Sequence, residues 1–202
     1  MRTLKIGFIV NPIAGMGGRV GLKGTDNVLE EAIALGAKPV APQRAKAFLK
    51  KKKEKGISAD NKIITCPGIM GEEETREVRI NAEVLPMQIK ETTTAEDTKN
   101  AITMLTSNRY NVDLIVFVGG DGTATDIHDA LKEKANETLV LGVPSGVKMY
   151  SGIFAVNPTE AAEVVEAFIK GEADIMEFEI MDVDEPTIRS DRFSIRLYGY
   201  LR

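Results

Sequence analysis

Short, almost wholly apolar runs alternate along this chain with longer stretches whose apolar residues recur at helical spacing. Leu4–Val10, Leu114–Val118 and Thr138–Val143 are of the first kind, as expected of strands buried on both faces of a parallel sheet. Lys62–Thr65 is a weaker run, and Val84–Ile89 alternates. Helices are predicted between them. Asn27–Leu35 follows Asp26, a residue type that caps helix starts, and Gln43–Lys55 gathers Ala45, Phe48 and Leu49 on one face. Glu72–Ala82 is mostly polar, and Ala95–Leu105 follows Thr93-Thr94-Ala95-Glu96, a capping-box pattern. Thr125–Lys134 and Glu160–Ile169, the latter behind Thr159, complete the set. Strand–helix alternation of this kind predicts an α/β fold with a mainly parallel sheet flanked by helices.

The texture changes after about residue 172. Ala173–Val183 and Asp191–Leu201 read as strands joined by a turn around Asp184-Glu185-Pro186. Ser194, Arg196, Tyr198 and Tyr200 alternate there with Ile195, Leu197 and Leu201, the pattern of an antiparallel hairpin. The expected organisation is therefore an α/β domain over 1–171 and a hairpin over 172–202. Two strands alone are marginal. Either the hairpin is the beginning of a truncated β-rich domain, or it packs on the first domain or on a partner chain.

Composition narrows the classes. The 202 residues carry 26 basic and 30 acidic side chains, a net charge of −4, so no strong positive field exists for nucleic acid. One cysteine, Cys66, excludes an intramolecular disulfide, and with a single histidine, His128, a Cys/His zinc site is excluded as well. Cys66 reads as structural, at a strand end, and a reducing cytoplasm is the expected compartment. No apolar run reaches transmembrane length, so no membrane partner is expected. The apolar start runs straight into Asn11-Pro12, unlike a cleaved signal peptide. The cluster Lys50-Lys51-Lys52-Lys53 with Lys55 reads as a solvated helix end, with a phosphate-binding role as the alternative.

Three glycine-rich segments carry the chemistry, each following an apolar strand. The strongest is Gly119-Gly120-Asp121-Gly122-Thr123. Its glycines let the backbone approach a ligand, and amides there and at the following helix start meet phosphate oxygens. A carboxylate inside an anion loop repels phosphate unless it holds a metal, a hydroxyl or a proton. Asp121 is thus the candidate that orients or deprotonates a hydroxyl attacking a phosphoryl group; the alternative is a tight turn with Asp121 as helix cap.

The second segment, Asn11-Pro12-Ile13-Ala14-Gly15-Met16-Gly17-Gly18-Arg19, fits neither the Walker spacing nor the Rossmann fingerprint. Gly15, Gly17 and Gly18 are its candidate cofactor contacts, with Arg19 and Lys23 adding charge against a polyphosphate; a flexible connection is the alternative. The third, Gly142-Val143-Pro144-Ser145-Gly146-Val147-Lys148-Met149-Tyr150-Ser151-Gly152, offers Ser145, Gly146 and Lys148 to a nucleotide, with Lys148 as a surface residue the alternative.

Asn-Pro-x-x-Gly, Gly-Gly-Asp-Gly-Thr and Gly-Val-Pro-Ser-Gly, in this order, resemble the NAD kinase and diacylglycerol-kinase-like superfamily. The wording of Gly17–Asp26 and Gly146–Ser151 resembles its ATP-NAD/AcoX kinase branch, the predicted ATP- or polyphosphate-dependent NAD kinases widespread in archaea. The resemblance covers most of residues 4–170 and implies an NAD kinase-like α/β domain followed by a β-rich one. It implies phosphoryl transfer from ATP or polyphosphate to the 2′-hydroxyl of the adenosine ribose of NAD, with Mg2+ or another divalent cation. Asp121 matches the aspartate that contacts that hydroxyl. Gly119, Gly120, Gly122 and Thr123 match the loop around the phosphates, and Asn11 the asparagine of the first loop.

The chain departs from the typical pattern at two points. No Asn-Glu or Asn-Asp pair follows Asp121 at the usual place, since Asn136-Glu137 lies before a strand and Asn157 precedes Pro158. Gly142-Val143-Pro144-Ser145-Gly146 stands where typical members have Gly-x-Asn-x-Gly. Asp126, in the helix after the motif, is a candidate magnesium or ribose ligand, or an acid placed by the helix dipole. His128 reads as a surface residue of that helix, and Tyr198 and Tyr200 as hairpin surface or interface. The alternatives to an NAD kinase are a lipid kinase of the same superfamily and a non-catalytic nucleotide-binding accessory protein. The resemblance also implies a homo-oligomer, dimer or tetramer, working on small-molecule nucleotides.

Overall fold

The computed structural model describes residues 3–17, 29–55, 61–90, 92–132, 138–146, 149–183 and 195–202. Strand β1 (Lys5–Val10) lies at the centre of a five-stranded sheet. On one side it pairs with β2 (Lys62–Thr65), which pairs with β3 (Ala82–Val84). On the other it pairs with β4 (Leu114–Gly119), which pairs with β5 (Leu139–Pro144). All four pairings are parallel, in the order β3-β2-β1-β4-β5. The α/β expectation therefore holds.

The helices are α1 (Leu29–Ala34), α2 (Ala41–Glu54), α3 (Glu72–Val78), α4 (Ala95–Leu105), α5 (Asp121–Lys132) and α6 (Pro158–Lys170). Both sheet faces are covered. Ile115 and Phe117 of β4 join Ala101, Ile102 and Leu105 of α4 and Ile127 of α5 in one core layer. Leu114, Val116 and Val118 join Ala45, Phe48 and Leu49 of α2 and Ala161 and Val165 of α6 in the other. This two-sided burial is why β4 has no polar position to alternate with. On β1, Gly7 admits α4 closely: a Cβ there would lie 2.8 Å from Leu105 Cδ1.

Several boundaries differ from the sequence pattern, each for a local reason. Helix α3 stops at Val78 rather than Ala82, because Arg79 takes a left-handed conformation at φ 59° and Ile80 N–H donates back to Thr75 C=O. That frees Ala82–Val84 to pair with β2, so the alternating run Val84–Ile89 is not the strand. Helix α5 starts at Asp121, four residues early, so the Gly-Gly-Asp-Gly-Thr motif is half helix. Helix α6 is capped by Asn157, not Thr159: its Oδ1 accepts from the N–H groups of Thr159 and Glu160 at 2.8 and 3.0 Å.

The hairpin is present as β6 (Phe178–Val183) and β7 (Ile195–Leu201), antiparallel, with an irregularity between Ile180 and Met181. The turn expected around Asp184-Glu185-Pro186 lies outside the described residues. The pair docks on α5, with Ile180 and Leu201 buried in the same core layer as Ile127 and Leu131. Gly199 lets β7 approach that helix, since a Cβ there would run into the His128 ring. His128 is accordingly not a surface residue: it is only 16% exposed and packs edge-on against Tyr198, ring centroids 5.4 Å apart. Cys66 is fully buried, and burial pushes its thiol up to about 12.

The lysine cluster is also not a plain solvated face. Of the four-residue run, Lys50 and Lys53 are exposed, Lys51 is half-buried and Lys52 is buried. Lys51 and Lys55 pair with Glu163 of α6 at 3.6 and 2.7 Å, and Lys53 Nζ donates to Val78 C=O at 2.9 Å. Lys52 is buried and meets Glu166 at 3.3 Å. Helix α6 carries its glutamates towards α2, which the pattern of α2 alone does not reveal.

Glu74 on α3 is buried with no hydrogen-bond partner for Oε2. Desolvation, helped by the neighbouring charges of Glu73 and Glu77, pushes its carboxyl up to about 7 from 4.5. Between those values the unfolded chain releases a proton that the folded one keeps, so this group's contribution to stability falls as pH rises. The loss is complete above about pH 7, where both states are ionised. Glu74→Met is expected to stabilise the fold by on the order of 2 kcal/mol at pH 8 and little at pH 4.5, read from urea unfolding at both pH values.

Candidate functional site

The chain leaves β1 towards β2 and β3 on one side, then crosses to β4 and β5 on the other. In open parallel sheets such a reversal opens a crevice beyond the carboxyl ends of the strands. The loops after β1 and β4 flank it, and the loop after β5 lies beside them. These are the three segments singled out in the sequence.

Hydrogen bonds tie the loops together. Asn11 N–H donates to Val118 C=O and Ser145 N–H to Gly119 C=O, both at 2.9 Å, carrying the sheet pairing into the loops. Asn11 Nδ2 donates to Thr123 Oγ1 at 3.0 Å, fastening the first loop to the first turn of α5. Asn11 Oδ1 meanwhile accepts from Ile13 N–H at 3.3 Å. Both side chains thus act on protein groups.

Two glycines are required by close approach. Gly119 faces Thr123 so tightly that a Cβ would sit 2.6 Å from its Oγ1. Gly15, at φ +80°, lies against the Ser145 carbonyl with no room for a side chain. Gly17 is buried in the first loop. Gly120 accepts from Ala124 N–H at 3.1 Å and opens the helix, and Gly122 is exposed. Gly146 is half-buried against Met149, and Gly18 and Lys148 lie outside the described residues, as do Arg19 and Lys23. Ser145 is buried, and its Oγ has no hydrogen-bond partner.

Asp121 is the first residue of α5, where the helix dipole favours a negative charge. Its Oδ2 accepts from Tyr150 N–H at 3.0 Å and its Oδ1 from Ser151 N–H at 2.9 Å. The carboxylate is thereby fixed against the segment after β5. A carboxylate has about four lone-pair sites, so each oxygen keeps one for a further donor. These two backbone amides were not legible in the sequence, because no side chain announces them.

Asp126 is not brought to the loops in the same way. Its carboxylate faces Lys99 of α4 at 3.9 Å. Asp129 accepts from Lys99 Nζ at 3.3 Å and from the Tyr198 hydroxyl at 2.8 Å. Those donors hold its carboxyl below the ordinary range against the opposing effect of burial. Among the described residues no group of three or more His, Cys, Asp or Glu is placed to hold a metal ion. Asp121 is the one acid of the described loop residues. A magnesium ion that arrives with phosphates needs only one or two carboxylates, so Asp121 fits such an ion and Asp126, facing an ammonium, fits it poorly. No described helix is long and apolar enough to cross a membrane.

Beside the loops lies a cavity of about 320 Å³, bounded by Arg44, Pro144, Gly146, Met149 and Phe154–Asn157. Its back wall depends on Gly142: Gly142 N–H donates to Ile153 C=O at 3.0 Å, and Ala155 N–H to Gly142 C=O at 2.9 Å. The Phe154 ring then stands edge-on to Phe117, centroids 5.3 Å apart, where a Cβ on Gly142 would collide with it. Arg44 and Phe154 went unnoticed in the sequence, since one sits in an ordinary amphipathic helix and the other in a loop without a motif.

The sequence matches the family described as ATP-NAD kinase N-terminal domain over residues 6–173. No curated protein matches the chain. A putative diacylglycerol kinase from Bacillus anthracis str. Sterne is 17% identical, with a TM-score of 0.38 over 90% of this chain and 43% of that one. A putative UDP-N-acetylglucosamine 2-epimerase from Listeria monocytogenes is 9% identical, with a TM-score of 0.39 over 71% of this chain and 32% of that one. The chain thus spans less than half the length of either structure.

Proposed function

Given that this chain belongs to the ATP-NAD kinase family through its N-terminal domain, we propose that it phosphorylates the 2′-hydroxyl of the adenosine ribose of NAD. The donor in this reading is ATP or polyphosphate, and the product is NADP, as in the ATP-NAD/AcoX branch. The observation that carries it is the pinned Asp121 carboxylate at the sheet's switch point, among three loops joined by hydrogen bonds.

In this reading each group has a task. Asp121 accepts a hydrogen bond from the ribose hydroxyl through the lone pair left on one oxygen, and takes its proton as the phosphoryl group arrives. The Tyr150 and Ser151 amides keep the carboxylate from rotating. The early amides of α5 have no intrahelical acceptor and face phosphate oxygens. Gly119 and Gly15 let backbone come close, and the Ser145 hydroxyl gains the partner it lacks. Asn11 and Thr123 hold the first loop to the helix. A divalent cation bound with the phosphates would neutralise charge on the transferring group, with Asp121 as its protein ligand. Phosphoryl transfer leaves the protein mainly positioning and charge stabilisation, which suits a site built of backbone and one carboxylate.

The test is to incubate the chain with magnesium, NAD and either ATP or polyphosphate, and to measure NADP. NADP formed with one donor names that donor. Bound NAD without product from either would move the reading to a nucleotide-binding protein without turnover.

A further inference from the structure

The cavity beside the β5 loop contains a cation without a counter-charge among the described residues. Helix α2 carries many basic residues, and the half-buried or buried lysines among them are matched. Lys46 pairs with Glu77, Lys51 with Glu163 and Lys52 with Glu166, while Lys53 meets the Val78 carbonyl. Arg44 is half-buried, lines the cavity and has no ion pair or side-chain hydrogen bond among the described residues. A guanidinium stays charged at any physiological pH and presents a planar fork of donors suited to phosphate. The remaining lining is mostly apolar, with Asn157 as its other polar side chain, and brings no carboxylate that would satisfy it.

Position adds to this. Pro144 and Gly146 flank Ser145, whose buried hydroxyl is also unpartnered. Met149 borders the cavity and reaches the motif loop, since a Cβ on Gly120 would lie 3.8 Å from its terminal methyl. The cavity therefore adjoins the loops that hold Asp121.

We propose that this cavity is the subsite for the phosphoanhydride chain of the phosphoryl donor, with the Arg44 guanidinium as its anion-binding group. Naming that chain as a donor rests on the kinase reading; the affinity for a phosphoanhydride chain does not. The shared chemistry is a run of linked phosphates, supplied by inorganic polyphosphate or by a nucleoside triphosphate.

Calorimetric titration of the full chain with tripolyphosphate, ATP and NAD, each with magnesium, tests it. Arg44→Gln is expected to weaken tripolyphosphate binding about tenfold and leave NAD binding unchanged, with Arg44→Lys in between. Val156 is 86% exposed at the rim, so Val156→Glu leaves folding untouched and is expected to weaken the polyanion by charge repulsion. If the Arg44 and Val156 variants weaken ATP and tripolyphosphate alike, the site reads the chain itself. Weakening of one only identifies that compound as the occupant. Wild-type chain that binds neither compound, or Arg44→Gln and Val156→Glu binding both as wild type does, overturns the proposal. The NADP assay separates the two readings. Arg44-dependent binding without NADP removes the acceptor and keeps the subsite. NADP formed with an unchanged donor KM in Arg44→Gln removes the subsite and keeps the kinase.

Discussion

Asp121→Asn is expected to lower NADP formation by about 10²–10⁴-fold, the usual worth of a positioned general base. The substitution removes the group that takes the hydroxyl proton in the proposed reaction. It also turns one amide donor towards either Tyr150 N–H or Ser151 N–H, each of which now donates to a carboxylate oxygen. Both effects act on the site, and kinetics tells them apart. Loss of the base lowers kcat and leaves NAD affinity near that of the wild type. A displaced 149–152 segment raises KM as well and lowers the melting temperature. Turnover within a few-fold of wild type in a folded Asp121→Asn chain would remove Asp121 from the chemistry and leave it as the clasp of that segment.

The largest effect on stability is expected at Glu166. Lys52 is buried, with 2% of its side chain exposed, and Glu166 at 3.3 Å is its carboxylate partner. Burial already lowers the Lys52 pKa in spite of that partner. Glu166→Ala strands the ammonium between α2 and α6 and is expected to cost about 3 kcal/mol, as the breaking of a buried pair does. Lys52→Met, which removes the charge and keeps the volume, is expected to be near neutral. Urea unfolding of the two variants checks the contrast. Equal losses from both would mean that the pair matters by its packing and not by its charge.

What could be read in advance followed from how many constraints each segment carries. Strand β4 is buried on both faces, and its run of six buried residues leaves no other assignment. Helix α4 carries its own start signal, with Asp97 Oδ2 accepting from Thr94 N–H at 2.8 Å. Strand β3 is three residues long and half exposed, so its pattern lost to the stronger alternation beside it. The start of α5 was hidden by glycines, which read as loop although Gly120 already accepts the first helical hydrogen bond.

In the site, the loops were legible because glycine marks close approach, as at Gly119 and Gly15. The grip on Asp121 was not, because backbone amides carry no residue code. Arg44 could not be found from its spacing, since only the tertiary arrangement shows that glutamates of α6 answer Lys51, Lys52 and Lys55 while Arg44 lines the cavity without an ion pair among the described residues.

Ser151 ties the hairpin to the candidate site. Its backbone N–H holds Asp121 Oδ1 at 2.9 Å, and its hydroxyl accepts from Met181 N–H of β6, also at 2.9 Å. One residue therefore works as a coupling between the strand pair and the carboxylate. Gly152 N–H, donating to Glu179 C=O at 2.9 Å, adds a second strut to the same joint. Strand β6 is thus joined to the tip of Asp121 over a path of two hydrogen bonds. The aim of the carboxylate is in this sense set from outside the parallel sheet.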